Sequence, residues 1–342
     1  MNLLVLGGTR FVGRAVVEAA LESGDTVTVV SRGDSGEPPA GVEWIRGDRL
    51  DATTIDSVVS RAWDAVIDTW SGDPAAVALS AAALGRSAGW YGYVSSRSVY
   101  RWPVVAGADE TAPVIEAGEE TGYAADKREA ELAVLAHFEN RCLLARAGLV
   151  VGPHEDTGRL TWWLSRAAEG GSVIAPGPRD RPWQYVDARD LADFMLRCAR
   201  DGTTGTYNVV GSRDAGVTTQ RLLEACLAVT GNRMPLTWVD HNVLRRANIG
   251  EWDDLPGWTS PDGELAGLHD CDVSAAVAAG LRCRPVEDTV GDTWTWLREI
   301  PPHRRPPVRA GLPRRGLTAE QEQAVWWLLP HRPSFSSSHK VG

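Results

Sequence analysis

The stretch Leu3-Leu4-Val5-Leu6-Gly7-Gly8-Thr9-Arg10-Phe11-Val12-Gly13 decides the fold of this 342-residue chain. Its first four residues predict a short buried strand, and the Ala-rich stretch after the turn predicts a helix over 12–22. A tight glycine turn between strand and helix lets backbone N–H groups approach a pyrophosphate at the positive end of the helix. We therefore expect a dinucleotide site here, with a plain strand-to-helix turn as the alternative; its residues are Gly7, Thr9, Arg10, Phe11, Val12 and Gly13.

Arg10 departs from the Gly-x-x-Gly-x-x-Gly spacing, because it stands where the middle glycine is expected. That glycine normally permits close approach of the backbone to the phosphates. Arg10 must therefore either stand aside or extend its guanidinium toward them.

Short apolar runs alternate with helical stretches through the first 150 residues. Strands are predicted at 3–6, 26–30, 42–45, 65–68, 90–95 and 142–146, and helices at 12–22, 53–61, 74–87 and 122–138. This alternation predicts an α/β fold, a doubly wound parallel sheet with helices on both faces.

The pattern loosens after residue 150. Helices are predicted at 159–169, 188–200, 217–229 and 285–299, with strands near 183–187, 205–210 and 236–239. We expect a nucleotide-binding domain over 1–150, a smaller α+β substrate lobe over 151–300 that is partly interleaved with it, and a basic, Pro-rich extension over 301–342.

Charge and composition exclude several classes of protein. The net charge is −10, yet residues 301–342 carry +5, so the body is acidic and broad nucleic-acid binding is disfavoured. The extension is expected to lie along the surface. No apolar run approaches the roughly 20 residues that cross a bilayer, and the first apolar stretch is too short for a signal peptide, so a cytoplasmic location is expected. The five scattered cysteines argue against disulfides or a zinc site.

The end of the second strand bears on the choice between NAD and NADP. Ser31-Arg32-Gly33 places no carboxylate where an NAD site would bind the ribose 2′-hydroxyl, and Arg32 suits a 2′-phosphate. NADP is therefore favoured over NAD, although the nearby Asp34 could substitute for the missing carboxylate. Asp48, after the third strand, is a candidate adenine ligand or a plain loop aspartate, and Thr69, after the fourth strand, is assigned to the same site.

Tyr123 and Lys127 lie one helical turn apart at the start of the helix predicted over 122–138. The chain has only two lysines, Lys127 and Lys340, against 33 arginines, so a lysine at this spacing is unlikely to be accidental. A nearby ammonium favours the phenolate form of a tyrosine, which is otherwise a poor acid–base group at neutral pH. We expect Tyr123 to be a catalytic acid/base and Lys127 to lower its pKa.

A hydroxyl group should hold the substrate oxygen beside the tyrosine. The fifth predicted strand ends in Ser95-Ser96-Arg97-Ser98, at the edge of the sheet where ligands bind. We favour Ser96, with Ser95 and Ser98 as alternatives.

These motifs resemble the extended branch of the short-chain dehydrogenase/reductase superfamily, the NAD-dependent epimerase/dehydratase family, over about residues 1–300. The stretches GGTRFVG, VSSRSVY, YAADK, RAGLVVGP and RPWQYVD carry the resemblance. It implies a Rossmann fold, catalytic roles for Ser96, Tyr123 and Lys127, a cofactor contact for the last two, and a homodimer. The GGTRF form is similar to a divergent group of bacterial reductase-like proteins and chloroplast stem-loop-binding proteins.

Two departures weaken a nucleotide-sugar substrate. Leu149 stands where such enzymes usually have an asparagine, and Arg97-Ser98 stands where sugar dehydratases usually have an Asp-Glu pair. Tryptophans of the second lobe could line a pocket for a flat or apolar ligand, or they could simply form its core; they are Trp162, Trp163, Trp183, Trp238, Trp252 and Trp258.

The leading hypothesis is an NAD(P)-dependent oxidoreductase that acts on a secondary alcohol or ketone of a small molecule. A Rossmann scaffold that binds RNA or protein without catalysis is one alternative, and a nucleotide-sugar epimerase is another. His154, near the presumed pocket, is expected to be structural or to line it. Asp187 and Asp190 are expected to cap the helix near 188–200 rather than to bind a metal.

Overall fold

The computed structural model describes residues 1–313 and 315–330. Of the residues discussed above, Lys340 lies outside this range. The strands are β1 (Asn2–Leu6), β2 (Thr26–Ser31), β3 (Glu43–Arg46), β4 (Trp63–Asp68), β5 (Ala88–Ser96), β6 (Cys142–Ala147), β7 (Leu149–Val151), β8 (Val173–Pro176), β9 (Tyr185–Asp187), β10 (Gly205–Val209) and β11 (Leu236–Val239). The helices are α1 (Phe11–Glu22), α2 (Ala52–Val59), α3 (Ala75–Leu84), α4 (Tyr123–Phe138), α5 (Leu160–Ala168), α6 (Ala188–Asp201), α7 (Thr219–Thr230), α8 (His241–Arg246), α9 (Ser274–Ala278), α10 (Val286–Leu297) and α11 (Ala319–Leu328).

Seven parallel strands form the main sheet in the order β10-β6-β5-β4-β1-β2-β3. Side chains that alternate along a strand point to opposite faces. Leu3 and Val5 therefore pack with α1 and α6, whereas Leu4 and Leu6 pack on the other face, with α3 and α4. The predicted doubly wound parallel sheet is confirmed.

The chain returns to this sheet after residue 150. Strand β10 pairs with β6 in parallel, and α6 packs against α1 on the same face. Residues 188–209 thus complete the sheet, although the sequence pattern placed them with the second lobe. The domain boundaries themselves stay predictions.

The second lobe has its own apolar core. Parallel strands β8 and β11 pair within it, and helices α5, α7 and α10 pack together there. The extension contributes a helix that the sequence analysis missed, since α11 buries Val325 and Trp326 in this core.

Asp187 accepts a hydrogen bond from the Arg189 backbone N–H and caps α6, as predicted. Asp190 does not cap that helix; it accepts hydrogen bonds from the backbone and side chain of Arg284 instead. All five cysteines are free thiols. In residues 1–313 and 315–330, no helix is long and apolar enough to cross a membrane, and no cluster of three His, Cys, Asp or Glu side chains is arranged to hold a metal ion.

Candidate active site

A cavity of about 810 Å³ opens at the carboxyl ends of the central strands. All twelve site residues predicted from the sequence line it: Gly7, Thr9, Arg10, Phe11, Val12, Gly13, Arg32, Asp48, Thr69, Ser96, Tyr123 and Lys127. The structure thus brings together side chains that are up to 120 positions apart in the chain.

The glycine turn has no room for side chains. A Cβ on Gly13 would lie 1.8 Å from the Gly7 carbonyl oxygen, and Gly7 itself has φ +93°, where larger residues are strained. The same carbonyl accepts a 2.9 Å hydrogen bond from the Thr69 hydroxyl, which joins β4 to the turn. Among the described residues, no side chain caps the N-terminus of α1. These free N–H groups and the bare backbone fit a pyrophosphate.

Arg10 extends along the cavity wall. Its guanidinium lies 3.7 Å from the carboxylate of Asp156, which also pairs with Arg309. Partial burial and the charge of Arg309 lower the pKa of Arg10. The sequence left open whether Arg10 stands aside or extends toward the phosphates. In the structure Arg10 lines the cavity and shares the Asp156 carboxylate with Arg309.

Ser31 and Arg32 lie at the end of β2, as expected. The Ser31 hydroxyl accepts a hydrogen bond from Trp44 Nε1 at 2.9 Å, so it is held by a neighbouring side chain. Arg32 is half exposed, and its Nε lies 3.1 Å from the carboxylate of Asp34, the one predicted to be a substitute. A cation and a carboxylate therefore lie together at the edge of the cavity beside the end of β2.

A buried ion pair that no sequence motif indicated lies near this edge of the cavity, since Arg32 and Arg49 both approach the ring of Trp70. Arg49 makes two hydrogen bonds, of 2.8 and 2.5 Å, to Asp68, which also accepts a 2.6 Å bond from the Tyr91 hydroxyl. All three side chains are buried. Asp48, the preceding residue, accepts a hydrogen bond from Leu50 N and lines the cavity beside this pair.

Tyr123 is the first residue of α4 and follows Gly122, whose φ is +97°. Tyr123 is 51% exposed and lines the cavity. The surrounding protein raises the pKa of Tyr123 by desolvation, while a hydrogen bond with Ser96 and the charge of Arg309 act in the opposite direction. The expected lowering of its pKa by Lys127 is not found.

The position of the Lys127 ammonium explains this difference. It is buried, donates hydrogen bonds of 2.6 Å to Trp70 O and 2.7 Å to Val94 O, and lies 6.0 Å from the centre of the Tyr123 ring. Trp70 lies two residues after the end of β4, and Val94 lies within β5. The Lys127 ammonium therefore connects α4 to two neighbouring strands of the sheet. Burial lowers the pKa of Lys127 itself to about 7.

Of the three serines at and just after the end of β5, Ser95 bonds to a buried carboxylate, whereas Ser96 and Ser98 bond to each other. Ser95 donates a 2.7 Å hydrogen bond to Glu131, a buried carboxylate that also pairs with Arg146. Ser96 accepts a hydrogen bond from Ser98 N and donates to Ser98 Oγ. Ser96 and Ser98 therefore remain candidates beside Tyr123, while the Ser95 hydroxyl is used within the protein.

Most second-lobe tryptophans are core residues, so the alternative interpretation of them was correct. Four are buried in the lobe, namely Trp162, Trp163, Trp183 and Trp258, and Trp238 packs against them. Of the six tryptophans named from the sequence, Trp252 is the one that lines the cavity. Trp70, which was not named there, lines it as well. His154 packs on Trp296 and is not among the described residues that line the cavity.

The far wall comes from parts of the chain that carry no motif. It consists of Thr157, Arg159, Trp252, Leu268, Arg309, Leu312 and Arg315. Three of these residues belong to the extension that was expected only to lie along the surface. The cavity can thus hold an elongated ligand between the glycine turn and a cationic wall.

A sequence model of the NAD dependent epimerase/dehydratase family matches residues 3–210. No match was found among curated protein sequences.

Several solved structures share the fold. A candidate epimerase from Burkholderia cenocepacia J2315 superposes with a TM-score of 0.69 at 19% identity, over 87% of this chain and 98% of that one. A UDP-glucose 4-epimerase from Thermotoga maritima with UDP-glucose gives 0.65 at 17% identity, over 87% and 99%. The Bordetella bronchiseptica enzyme WbmH with NAD⁺ gives 0.66 at 17% identity, over 87% and 98%.

Proposed function

This chain belongs to the NAD dependent epimerase/dehydratase family, and from that premise we propose that it is an NAD(P)-dependent oxidoreductase. It would act at a secondary alcohol or ketone carbon of a small organic molecule. One observation carries the proposal: Tyr123, Ser96 and the glycine turn line the same cavity at the carboxyl edge of the sheet.

The nicotinamide group, when bound, exchanges a hydride with the substrate carbon. Tyr123 moves the proton at the substrate oxygen, and the Ser96 hydroxyl holds that oxygen by a hydrogen bond. A phenol with the ordinary pKa of about 10 is already protonated at neutral pH, and desolvation raises the pKa of Tyr123 further. In the proposed reductive direction Tyr123 therefore starts as the proton donor to the carbonyl oxygen.

Lys127 is assigned to cofactor binding and positioning. Its buried head group holds Trp70 O and Val94 O, on the floor of the cavity between the Thr69 and Ser96 positions. In the proposed role, the third hydrogen of the protonated amine would be donated to a ribose hydroxyl of the cofactor.

The catalytic assignment is tested with Tyr123→Phe. Wild-type protein with NADPH is screened against small ketones and aldehydes, and the variant is assayed on any substrate found. Loss of an acid/base group costs roughly 10²–10⁴-fold in kcat, while NADPH affinity should change little. Unimpaired turnover by Tyr123→Phe would remove the proposed proton-transfer role. Tyr207→Phe, outside the cavity, is the matched control.

We propose NADP as the preferred cofactor, with NAD as the alternative. Support comes from Arg32 at the end of β2; the adjoining Asp34 could serve a ribose hydroxyl instead. Fluorescence titration should give tighter binding of NADPH than of NADH, and Arg32→Glu should reverse this order. Arg86→Glu, an exposed site outside the cavity, is the control. An unchanged preference in Arg32→Glu would contradict the assignment.

A nucleotide-sugar epimerase is the second candidate, because the fold neighbours include UDP-glucose 4-epimerases. Leu149 and Arg97-Ser98 in the cavity wall argue against it. Interconversion of UDP-glucose and UDP-galactose without net change in NAD would favour this candidate over a reductase.

A non-catalytic RNA- or protein-binding scaffold would instead bind neither NADPH nor NADH. Deletion of 301–342 cannot test it cleanly, because that deletion also removes the buried Val325. A homodimer, which rests on the family resemblance, and a cytoplasmic location, which rests on the sequence pattern, remain proposals to be checked by light scattering and cell fractionation.

A further inference from the structure

The extension after residue 300 is built into the wall of the cavity. Val308 forms an antiparallel bridge with Thr157, and Arg309 N donates a 2.8 Å hydrogen bond to Asp156 O. Farther along, Gly316 N donates to Asp253 O, and α11 is anchored in the core of the second lobe through Val325. Arg309 and Arg315 are therefore held on a folded segment rather than on a loose tail.

Each of these two arginines shares its carboxylate with another arginine. Asp156 is 3.0 Å from Arg309 and 3.7 Å from Arg10. One negative charge thus faces two guanidiniums on the side toward the glycine turn.

The second shared carboxylate is Asp253. It is 2.8 Å from Arg315 and 3.6 Å from Arg159, whose guanidinium also covers the ring of Trp252 at 4.0 Å. Burial and the charge of Arg315 lower the pKa of Arg159 to about 9, as expected for crowded cations.

Basic side chains also outnumber carboxylates around the cavity as a whole. Among the described lining residues, eight carry a basic group and two, Asp34 and Asp48, carry a carboxyl group. Three further carboxylates, Asp68, Asp156 and Asp253, do not line the cavity but pair with Arg49, Arg309 and Arg315. The nearby Glu155 is buried, and its carboxyl oxygens accept hydrogen bonds from the Thr157 hydroxyl and from the backbone N–H groups of Arg159 and Thr161, so they are used within the protein. This excess lies in a chain whose net charge is −10.

Arg97 supplies an independent observation that points to an anionic ligand. It is 2% exposed and lines the cavity, and its Nη1 donates to Leu268 O at 2.5 Å. Its Nε and Nη2 are buried without a hydrogen-bond partner among the described residues. Buried guanidinium N–H groups without partners are costly, so a ligand oxyanion would satisfy them.

We propose that Arg97, Arg159, Arg309 and Arg315 form an oxyanion subsite, and that the substrate therefore carries a carboxylate or a phosphate group. Arg309 and Arg315 act as specificity-determining residues supplied by the extension, outside the family-matched residues 3–210. The inference rests on the proposed function, because it names the substrate class of the same cavity. Arg309, Arg97 and Tyr123 line the same cavity, and the charge of Arg309 acts to lower the pKa of Tyr123.

The test uses full-length protein saturated with NADPH, so that the phosphate-binding turn is already occupied. Inorganic phosphate and malonate are titrated separately by calorimetry at constant ionic strength. We expect both probes to bind, with the tighter one indicating a phosphate ester or a carboxylate. Arg309→Gln and Arg315→Gln should each raise Kd by at least about tenfold. Arg304→Gln, an exposed arginine of the same extension, should leave Kd unchanged.

Failure of both probes to bind the wild-type complex overturns the subsite, and this result needs no variant to fold. Competition between phosphate and NADPH also overturns it, because the arginines would then serve the cofactor. If a glutamine variant unfolds on heating well below the wild type, Arg309→Lys and Arg315→Lys keep the charge and should retain part of the binding. Absence of NADPH binding would refute the proposed function instead, and the free protein would still be titrated.

Discussion

Substitution of Gly13 by alanine should damage both folding and nucleotide binding. The new Cβ would lie 1.8 Å from the Gly7 carbonyl oxygen, whereas close carbon–oxygen contacts are about 3.3 Å or longer. The turn must therefore open by roughly 1.5 Å. Gly7 cannot move freely, since its N–H donates to Val30 O at 3.0 Å and its carbonyl accepts from Thr69 Oγ1 at 2.9 Å.

Overpacking of this kind costs about 1–3 kcal/mol, and loss of a buried hydrogen bond adds about 1–3 kcal/mol. We expect Gly13→Ala to lower the free energy of unfolding in urea by about 2–6 kcal/mol and to weaken NADPH binding by at least about tenfold.

Gly291→Ala is the matched control. Gly291 lies within α10, and a Cβ there meets nothing within 4 Å. Alanine is favoured over glycine in helices, so this variant should gain about 0.5–1 kcal/mol. If Gly13→Ala matched the wild type in stability and in NADPH affinity, the close approach of Gly7 and Gly13 could not be what shapes the nucleotide site.

Two further predictions concern buried charges of α4. Lys127 has a pKa of about 7 in the folded protein and of about 10.5 when unfolded. Between these pH values the unfolded state binds more protons, so the free energy of unfolding rises with pH, by up to about 1.4 kcal/mol per pH unit. Urea unfolding at pH 7 and 9 should show this rise in the wild type and a smaller one in Lys127→Met; equal slopes would contradict the burial of the amine. Glu131→Gln leaves the Arg146 guanidinium without its buried carboxylate and should lower the free energy of unfolding by about 3–5 kcal/mol. The control Glu129→Gln, on the exposed side of α4, should change it by less than about 0.5 kcal/mol. Thermal unfolding of the two variants distinguishes them.

The local sequence pattern was sufficient to predict much of the fold and much of the candidate site. The glycine turn, the alternation of strands and helices, and the spacing of Tyr123 and Lys127 depend only on neighbouring residues, because helical and strand periodicities determine which side chains share a face. Since carboxyl ends of parallel strands meet at one edge of the sheet, Ser96 and Thr69 could also be assigned to the same site.

Only the tertiary structure decided the pKa shifts of Tyr123 and Lys127 and which residues lie across the cavity from them. The Lys127 amine is held by Trp70 O and Val94 O, so it does not lower the pKa of Tyr123, which desolvation raises. Arg309 and Arg315 reach the cavity from the far end of the chain. Burial and contacts between distant residues depend on how the whole chain packs, and no short stretch of this sequence encodes them.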